Sequence, residues 1–261
     1  MYKKPTLELQ TTTLWDYPSQ HYGPGMQGDQ AYQGATPSYV IWNLLQRYTR
    51  ENDLVVDPMC GSGTTLDVAA DLKRRAQGYD LAPFRKDIQR ADARKLPLGD
   101  EQADFVFIDP PYSTHLEYSD DPACIGKLDA QDPAYYEAME GVIHEIHRIM
   151  KPRRYMALYC SDSYQKKKPF SPIGFRLFEI MEKFFSPADI VVVTRHNRAL
   201  KRGRYHEAAI EGNFFLRGFN YLFIMKKEAA AAAPQAQPTP KTATQNRAMR
   251  RKRKGKHKGG A

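Results

Sequence analysis

Apolar residues along the chain fall into short runs separated by longer amphipathic stretches, the pattern of an α/β fold. Leu54 to Val56, Ala76 to Asp80, Ile88 to Asp92, Phe105 to Ile108, Tyr155 to Cys160, Ile190 to Thr194 and Phe219 to Met225 read as strands. The amphipathic stretches carry apolar positions three and four apart. One holds Val40, Ile41, Leu44, Leu45 and Tyr48 behind Thr36-Pro37-Ser38, which reads as an N-cap with proline in the first turn. The others hold Leu66, Val68, Ala69 and Leu72, residues 133 to 150, and Phe175 to Phe185. The pattern predicts a mostly parallel, seven-stranded sheet with helices on both faces, over residues 36–228. Residues 1–35 show no helical period and read as an extended arm anchored on the core by Trp15, Tyr17, Tyr22 and Tyr32. Three polar segments, 113–132, 161–172 and 195–218, read as loops.

Acids recur where the strands end. Asp57, Asp80, Asp92 and Asp109 close four successive strands, and in a parallel sheet those ends share the edge where ligands bind. Asp57-Pro58-Met59-Cys60-Gly61-Ser62-Gly63-Thr64-Thr65 joins a strand to a helix. Its glycines allow close backbone approach, and the helix start offers free N–H groups. It is neither a P-loop, since no Lys follows Gly63, nor a G-x-G-x-x-G fingerprint. Asp80 stands at the end of the next strand, where an acid commonly binds ribose hydroxyls. Asp109-Pro110-Pro111-Tyr112 follows the fourth strand. Its prolines stiffen the turn, its acid accepts hydrogen bonds from an amine, and its tyrosine offers a face to a planar ring.

Composition narrows the setting. The net charge is +9, and the nine Lys/Arg of residues 229–261, with no acid among them, account for all of it. That segment is an Ala/Pro/Gln/Thr-rich linker with a basic run, expected to be disordered. Three cysteines with no C-x-x-C pair point to a reduced, cytoplasmic setting and against a zinc ribbon. No signal peptide or membrane span is visible. His144-Glu145-Ile146-His147 is one residue short of the H-E-x-x-H zinc motif, and no metal is expected. Arg195, Arg198, Lys201, Arg202 and Arg204, interleaved with planar side chains, are candidate nucleic-acid contacts.

The pairing of the Asp57 to Thr65 turn with Asp109-Pro110-Pro111-Tyr112 resembles the amino-group DNA methyltransferases, which make N6-methyladenine or N4-methylcytosine. The resemblance covers about residues 36 to 225. It implies a Rossmann-like fold and S-adenosylmethionine as cofactor. It further implies that Thr36, Pro37 and Ser38 close over the methionine end. The Asp57 to Thr65 turn (Asp57, Pro58, Cys60, Gly61, Ser62, Gly63, Thr64, Thr65) would cradle the cofactor, with Asp80 on the ribose and Asp92 on the adenine. Asp109, Pro110, Pro111 and Tyr112 would take the flipped base. The chain has no Pro-Cys dipeptide, which excludes cytosine-C5 chemistry. Only the 113–132, 161–172 and 195–218 segments are available as a recognition region, smaller than the family's usual one, which a very short recognition sequence, a partner (a homodimer or a separate specificity partner) or a different nucleic acid would explain. DNA is the expected substrate; an RNA amino group is the alternative, and a non-catalytic nucleic-acid-binding protein on the same fold a third reading.

Overall fold

The computed structural model describes residues 6–112, 118–163, 169–196, 200 and 203–229. The chain divides into residues 1–229 and 230–261, and the description concerns the first unit. Along the chain run β1 (Leu14–Trp15), α1 (Ser38–Tyr48), β2 (Leu54–Asp57), α2 (Thr64–Asp71), β3 (Arg75–Asp80), β4 (Ile88–Arg90), β5 (Ala103–Ile108), α3 (Pro133–Ile149), β6 (Met150–Cys160), α4 (Ile173–Glu182), β7 (Ser186–Thr194), α5 (Gly203–Glu211) and β8 (Phe219–Lys226).

The strands form one mixed sheet of eight, ordered β1-β7-β8-β6-β5-β2-β3-β4. Only β8 runs antiparallel to its neighbours, β6 and β7. All six residues of β5 are buried, and their alternation divides the core. Phe105 and Phe107 pack with α1 and α2 on one face; Val106 and Ile108 pack with α3 and α4 on the other. This is the doubly covered α/β sheet that the apolar runs predict.

The differences have local causes. The eighth strand, β1, is two residues long, too short to show an alternation, and pairs in parallel with β7. Within the predicted 195–218 loop lies α5, none of whose residues is buried, so it carries no apolar stripe to betray it. The 113–132 segment contains a 3-10 turn at Ile125–Lys127, with Cys124 and Ile125 buried. Pro37 occupies the N-cap of α1 instead of its first turn, and no side chain caps that helix. Strand β4 stops at Arg90, so Asp92 lies two residues beyond the tip, in a bridge with Lys95.

His144 and His147 pack against Phe184 and Phe185, and Glu145 accepts from the Leu96 N–H at 2.6 Å, so this triplet is structural. Among the described residues, no helix is long and apolar enough to cross a membrane. Arg198, Lys201, Arg202 and the 230–261 tail lie outside the described residues.

Candidate active site

Parallel pairing brings the ends of β2, β3, β5 and β6 to one edge. The turn after β2 sits there because Gly61 and Gly63 adopt φ of +47° and +78°, a left-handed region that an L side chain occupies only at a cost. A Cβ on Gly61 would also lie 2.7 Å from the Tyr32 ring. Gly63 is the N-cap of α2, and its conformation turns the chain from strand into helix.

Asp57 is buried; its carboxylate accepts from the Thr65 hydroxyl at 2.5 Å and from the Met59 N–H at 3.1 Å. Burial pushes its carboxyl up to about 7 against those two bonds, and nearby Asp80 adds to the rise. Asp80 accepts from the Gly61 N–H at 3.0 Å and the Ala82 N–H at 2.9 Å, and burial raises it too. Asp109 stands just past β5 and accepts from the Thr36 hydroxyl at 2.5 Å. Burial pushes it up to about 7; Thr36 opposes the rise, Asp57 reinforces it, and Arg195 opposes it.

One cavity of about 370 Å³ joins Asp57 and Asp109. It is lined by Thr36, Asp57, Cys60, Gly61, Ser62, Thr64, Thr65, Asp109, Tyr112 and Arg195, together with Asp162 and Arg217. A smaller one of about 80 Å³ holds Pro58, Asp80, Asp92 and Pro111, with Tyr32, Tyr118 and Asp109 on its wall. The predicted acids therefore line two cavities, a large and a small lobe of the site, with Asp109 on the wall of both.

Five predicted residues stand differently. Ser38 is turned away, its hydroxyl bonded to the Gln20 carbonyl at 3.2 Å. Pro110 is buried behind the turn and Gly63 beneath the cradle, its carbonyl accepting from Arg85. Arg204 is exposed on α5, its guanidinium over the Tyr205 ring. Asp92 lines the small lobe, but Arg94 holds both its oxygens, at 2.9 and 2.6 Å. Burial alone would raise Asp92; the Arg94 bonds outweigh it and hold the carboxyl below its ordinary range.

The sequence reading missed Asp162, which accepts from the Gly174 N–H at 3.0 Å and the Tyr221 hydroxyl at 3.2 Å. It also missed Arg217. An acid two residues past an apolar strand was a usable signal for the first; nothing local marked the second.

The family model described as DNA methylase, covering N6 and N4 amino-group enzymes, matches residues 2–90 and 103–260. The chain belongs to the amino-group DNA methylases. It is a methyltransferase, and S-adenosylmethionine is its cofactor. Among solved structures, the [4+2]-cyclase SpnF shares the fold with a TM-score of 0.51 at 13% identity, over 79% of this chain and 88% of that one. TrmN from Thermus thermophilus is similar at 0.49 and 18% identity, over 75% and 50%. A SAM dependent methyltransferase from Archaeoglobus fulgidus gives 0.45 and 17%, over 76% and 97%. Curated protein sequences offer no match.

The donor set of this amino-group methylase fits its cofactor. Asp57 and Asp109 are enclosed carboxyls whose hydrogen bonds come from neutral groups, the Thr65 and Thr36 hydroxyls and the Met59 N–H. Burial pushes both up to about 7; Arg195 opposes the rise at Asp109, and no cation opposes it at Asp57. A ligand carrying a sulfonium and an ammonium supplies what is missing.

Proposed function

We propose that this methylase transfers a methyl group to the exocyclic amine of adenine (N6) or cytosine (N4) in DNA. The observation carrying the reading is that the Asp109 carboxyl, set on the stiff Asp109-Pro110-Pro111-Tyr112 turn, faces the same cavity as Asp57 and the Gly61 to Thr65 turn. S-adenosylmethionine, when bound, supplies an electrophilic methyl group.

An exocyclic amine is a weak nucleophile because its lone pair is delocalised into the ring. Asp109 accepts one of its hydrogens and favours a pyramidal nitrogen. Thr36 occupies Oδ2 of Asp109, leaving Oδ1 for the amine. The amine must be held about 3–3.5 Å from the methyl carbon, a positioning task suited to a proline-stiffened turn. After transfer, the proton shed by nitrogen passes to Oδ1 of Asp109, whose raised pKa suits a base working near neutral pH. Tyr112 lies against the base, where stacking contributes about 1–3 kcal/mol toward extruding it.

Thr36, Asp57, Gly61 and Thr65 hold the methionine end in this reading, and Asp80 the ribose. Asp92 acts on the adenine edge together with its partner Arg94, whose donors replace the free acid that the sequence implied. Arg195 and Arg217 at the cavity rim, and Arg204 beyond it, meet phosphates. The catalytic unit is residues 36–228, and the basic run of residues 229–261 adds salt-sensitive affinity.

The test is transfer of labelled methyl from S-adenosylmethionine to unmethylated duplex DNA and bulk RNA offered side by side, with Asp109→Ala as control. Label in DNA that the variant loses is the expected result, and nucleoside analysis then separates adenine from cytosine. Label confined to RNA overturns the choice of substrate.

A further inference from the structure

The chain between β7 and β8 leaves the sheet and returns to it at the ligand edge, because β8 runs antiparallel to β6 and β7. On its return it carries Phe215, Arg217 and Phe219. Arg217 lines the same cavity as Asp109. Its guanidinium lies over the Phe170 ring, 5.4 Å from the centroid, and donates to the Phe215 carbonyl at 2.8 Å. Phe219 meets Tyr221 edge-on at 5.1 Å, and Phe175, in the first turn of α4, meets the same ring at 5.7 Å. The Tyr221 hydroxyl donates to Asp162, another of the cavity's lining residues. Aromatic rings therefore continue from the cavity onto the surface around one arginine.

Phe170, Phe175, Phe215 and Phe219 are 51%, 56%, 84% and 40% exposed. A single exposed apolar side chain is ordinary, but four rings on one rim mark a surface that a partner covers. The chemistry of the surface selects the occupant. A protein seated here would close the cavity through which the substrate must enter. A duplex offers phosphates and groove edges and keeps its base faces stacked on one another, so bare rings gain little from it. An unpaired strand turns its base faces outward, and these stack on aromatic side chains and on arginine.

We infer that the rings around Arg217 form a stacking platform for the unpaired nucleotides beside the target base, so that single-stranded DNA is the preferred form of the substrate. The inference rests on the proposed transfer to DNA and adds the state in which the strand is bound. The platform holds neighbours of the target, not the target itself. In a duplex the pairs around the target must open first, and that cost lowers affinity and rate together. Stacking tolerates any sequence, because every base has a π-face, and so asks little of the small segments available for recognition.

Phe170→Ala and Phe215→Ala test this in the full chain, both being changes at exposed positions. Fluorescence anisotropy compares a labelled DNA strand of about 12 nucleotides with the same sequence as duplex and as RNA, over a range of salt. The wild type should bind the DNA strand at least about tenfold more tightly than the duplex. Each variant should weaken strand binding about tenfold, with duplex binding, melting temperature and the slope of affinity against salt unchanged, since stacking releases no counterions. Equal binding of strand and duplex overturns the inference, as do variants that bind the strand like wild type. A matched RNA strand bound more tightly than DNA overturns the assignment to DNA. Methyl transfer is scored separately. A chain that binds the strand as stated and labels neither form of DNA refutes the proposed function while bearing out the platform.

Discussion

Asp57→Asn should make the ligand-free protein more stable and its cofactor binding weaker, with the gain dependent on pH. Asp57 is 4% exposed, and burial lifts its carboxyl from 3.8 to about 7. In the unfolded chain the group titrates near its ordinary value. Between the two values the folded form keeps a proton that the unfolded form has released. Wild-type stability therefore falls as pH rises from about 4 to about 7 and is level above that. About three pH units at about 1.4 kcal/mol each set a ceiling of about 4 kcal/mol for the charged group. Asparagine does not titrate. Its oxygen can still accept from the Met59 N–H, and its amide can donate to Thr65 Oγ1, so little packing is lost. The variant should gain about 1–3 kcal/mol at pH 8 and little at pH 5. Urea unfolding of both proteins at pH 5, 6, 7 and 8 measures the gap. A gap that stays constant across that range, or a variant less stable at pH 8, refutes the argument. S-adenosylmethionine affinity should rise with pH in the wild type and stay flat in the variant.

Three further outcomes follow from neighbouring contacts. Thr36→Val removes the hydroxyl that opposes the rise of Asp109, so the rising limb of kcat/KM against pH should move above pH 7 and activity at pH 7 drop about threefold or more; superimposable profiles would count against it. Gly61→Ala puts a side chain at φ +47° and 2.7 Å from Tyr32; it should cost about 1 kcal/mol of stability and, by pushing that ring across the cleft, weaken cofactor affinity tenfold or more by calorimetry. Asp104, 2% exposed at the far end of β5, accepts from the Leu54 N–H at 2.9 Å and is paired with Lys151 at 2.8 Å and Arg154 at 2.9 Å; Asp104→Ala should cost about 2 kcal/mol in urea unfolding with cofactor affinity intact, and a loss under 0.5 kcal/mol would contradict that.

What could be read from the sequence was what neighbours along the chain determine. The β5 run followed by Asp109-Pro110-Pro111-Tyr112 announces a buried strand and a stiff, acid-bearing turn without reference to anything distant. The Gly61 to Thr65 turn does the same, because its glycines and its helix start are local requirements. The misreadings occurred where a side chain's partner, or the lack of a buried face, decides. Thr36 looks like a helix cap, but the hydroxyl finds Asp109, 73 positions away. Asp92 looks like a free acid at a strand tip, and Arg94, two residues on, claims it. α5 buries nothing, so the signal that marks the other helices is missing from it.

The antiparallel insertion of β8 explains why Arg217 and Asn220 were harder to see than the acids. In a parallel strand, the residues at the ligand edge follow the strand, and the eye looks for acids after apolar runs. β8 enters reversed, so its beginning and the residues before it arrive at that edge, bringing Arg217 and Asn220. Register sets the rest. Val193 pairs with Asn220 and Cys160 with Tyr221, and side chains alternate, so Asn220 shares a face with Leu222 and Ile224. That is the α1 face, where Tyr39 and Tyr159 also lie. A one-residue slip would carry Asn220 to the α4 face and Tyr221 to the α1 face. Asn220 is where a row of buried apolar side chains ends in an amide whose oxygen has no partner. The strands before Asp109 bring Asp57, Asp80 and the Gly61 to Thr65 turn to that edge, those after it bring Asp162, Arg195 and Arg217, and Asp109 lies between the two sets.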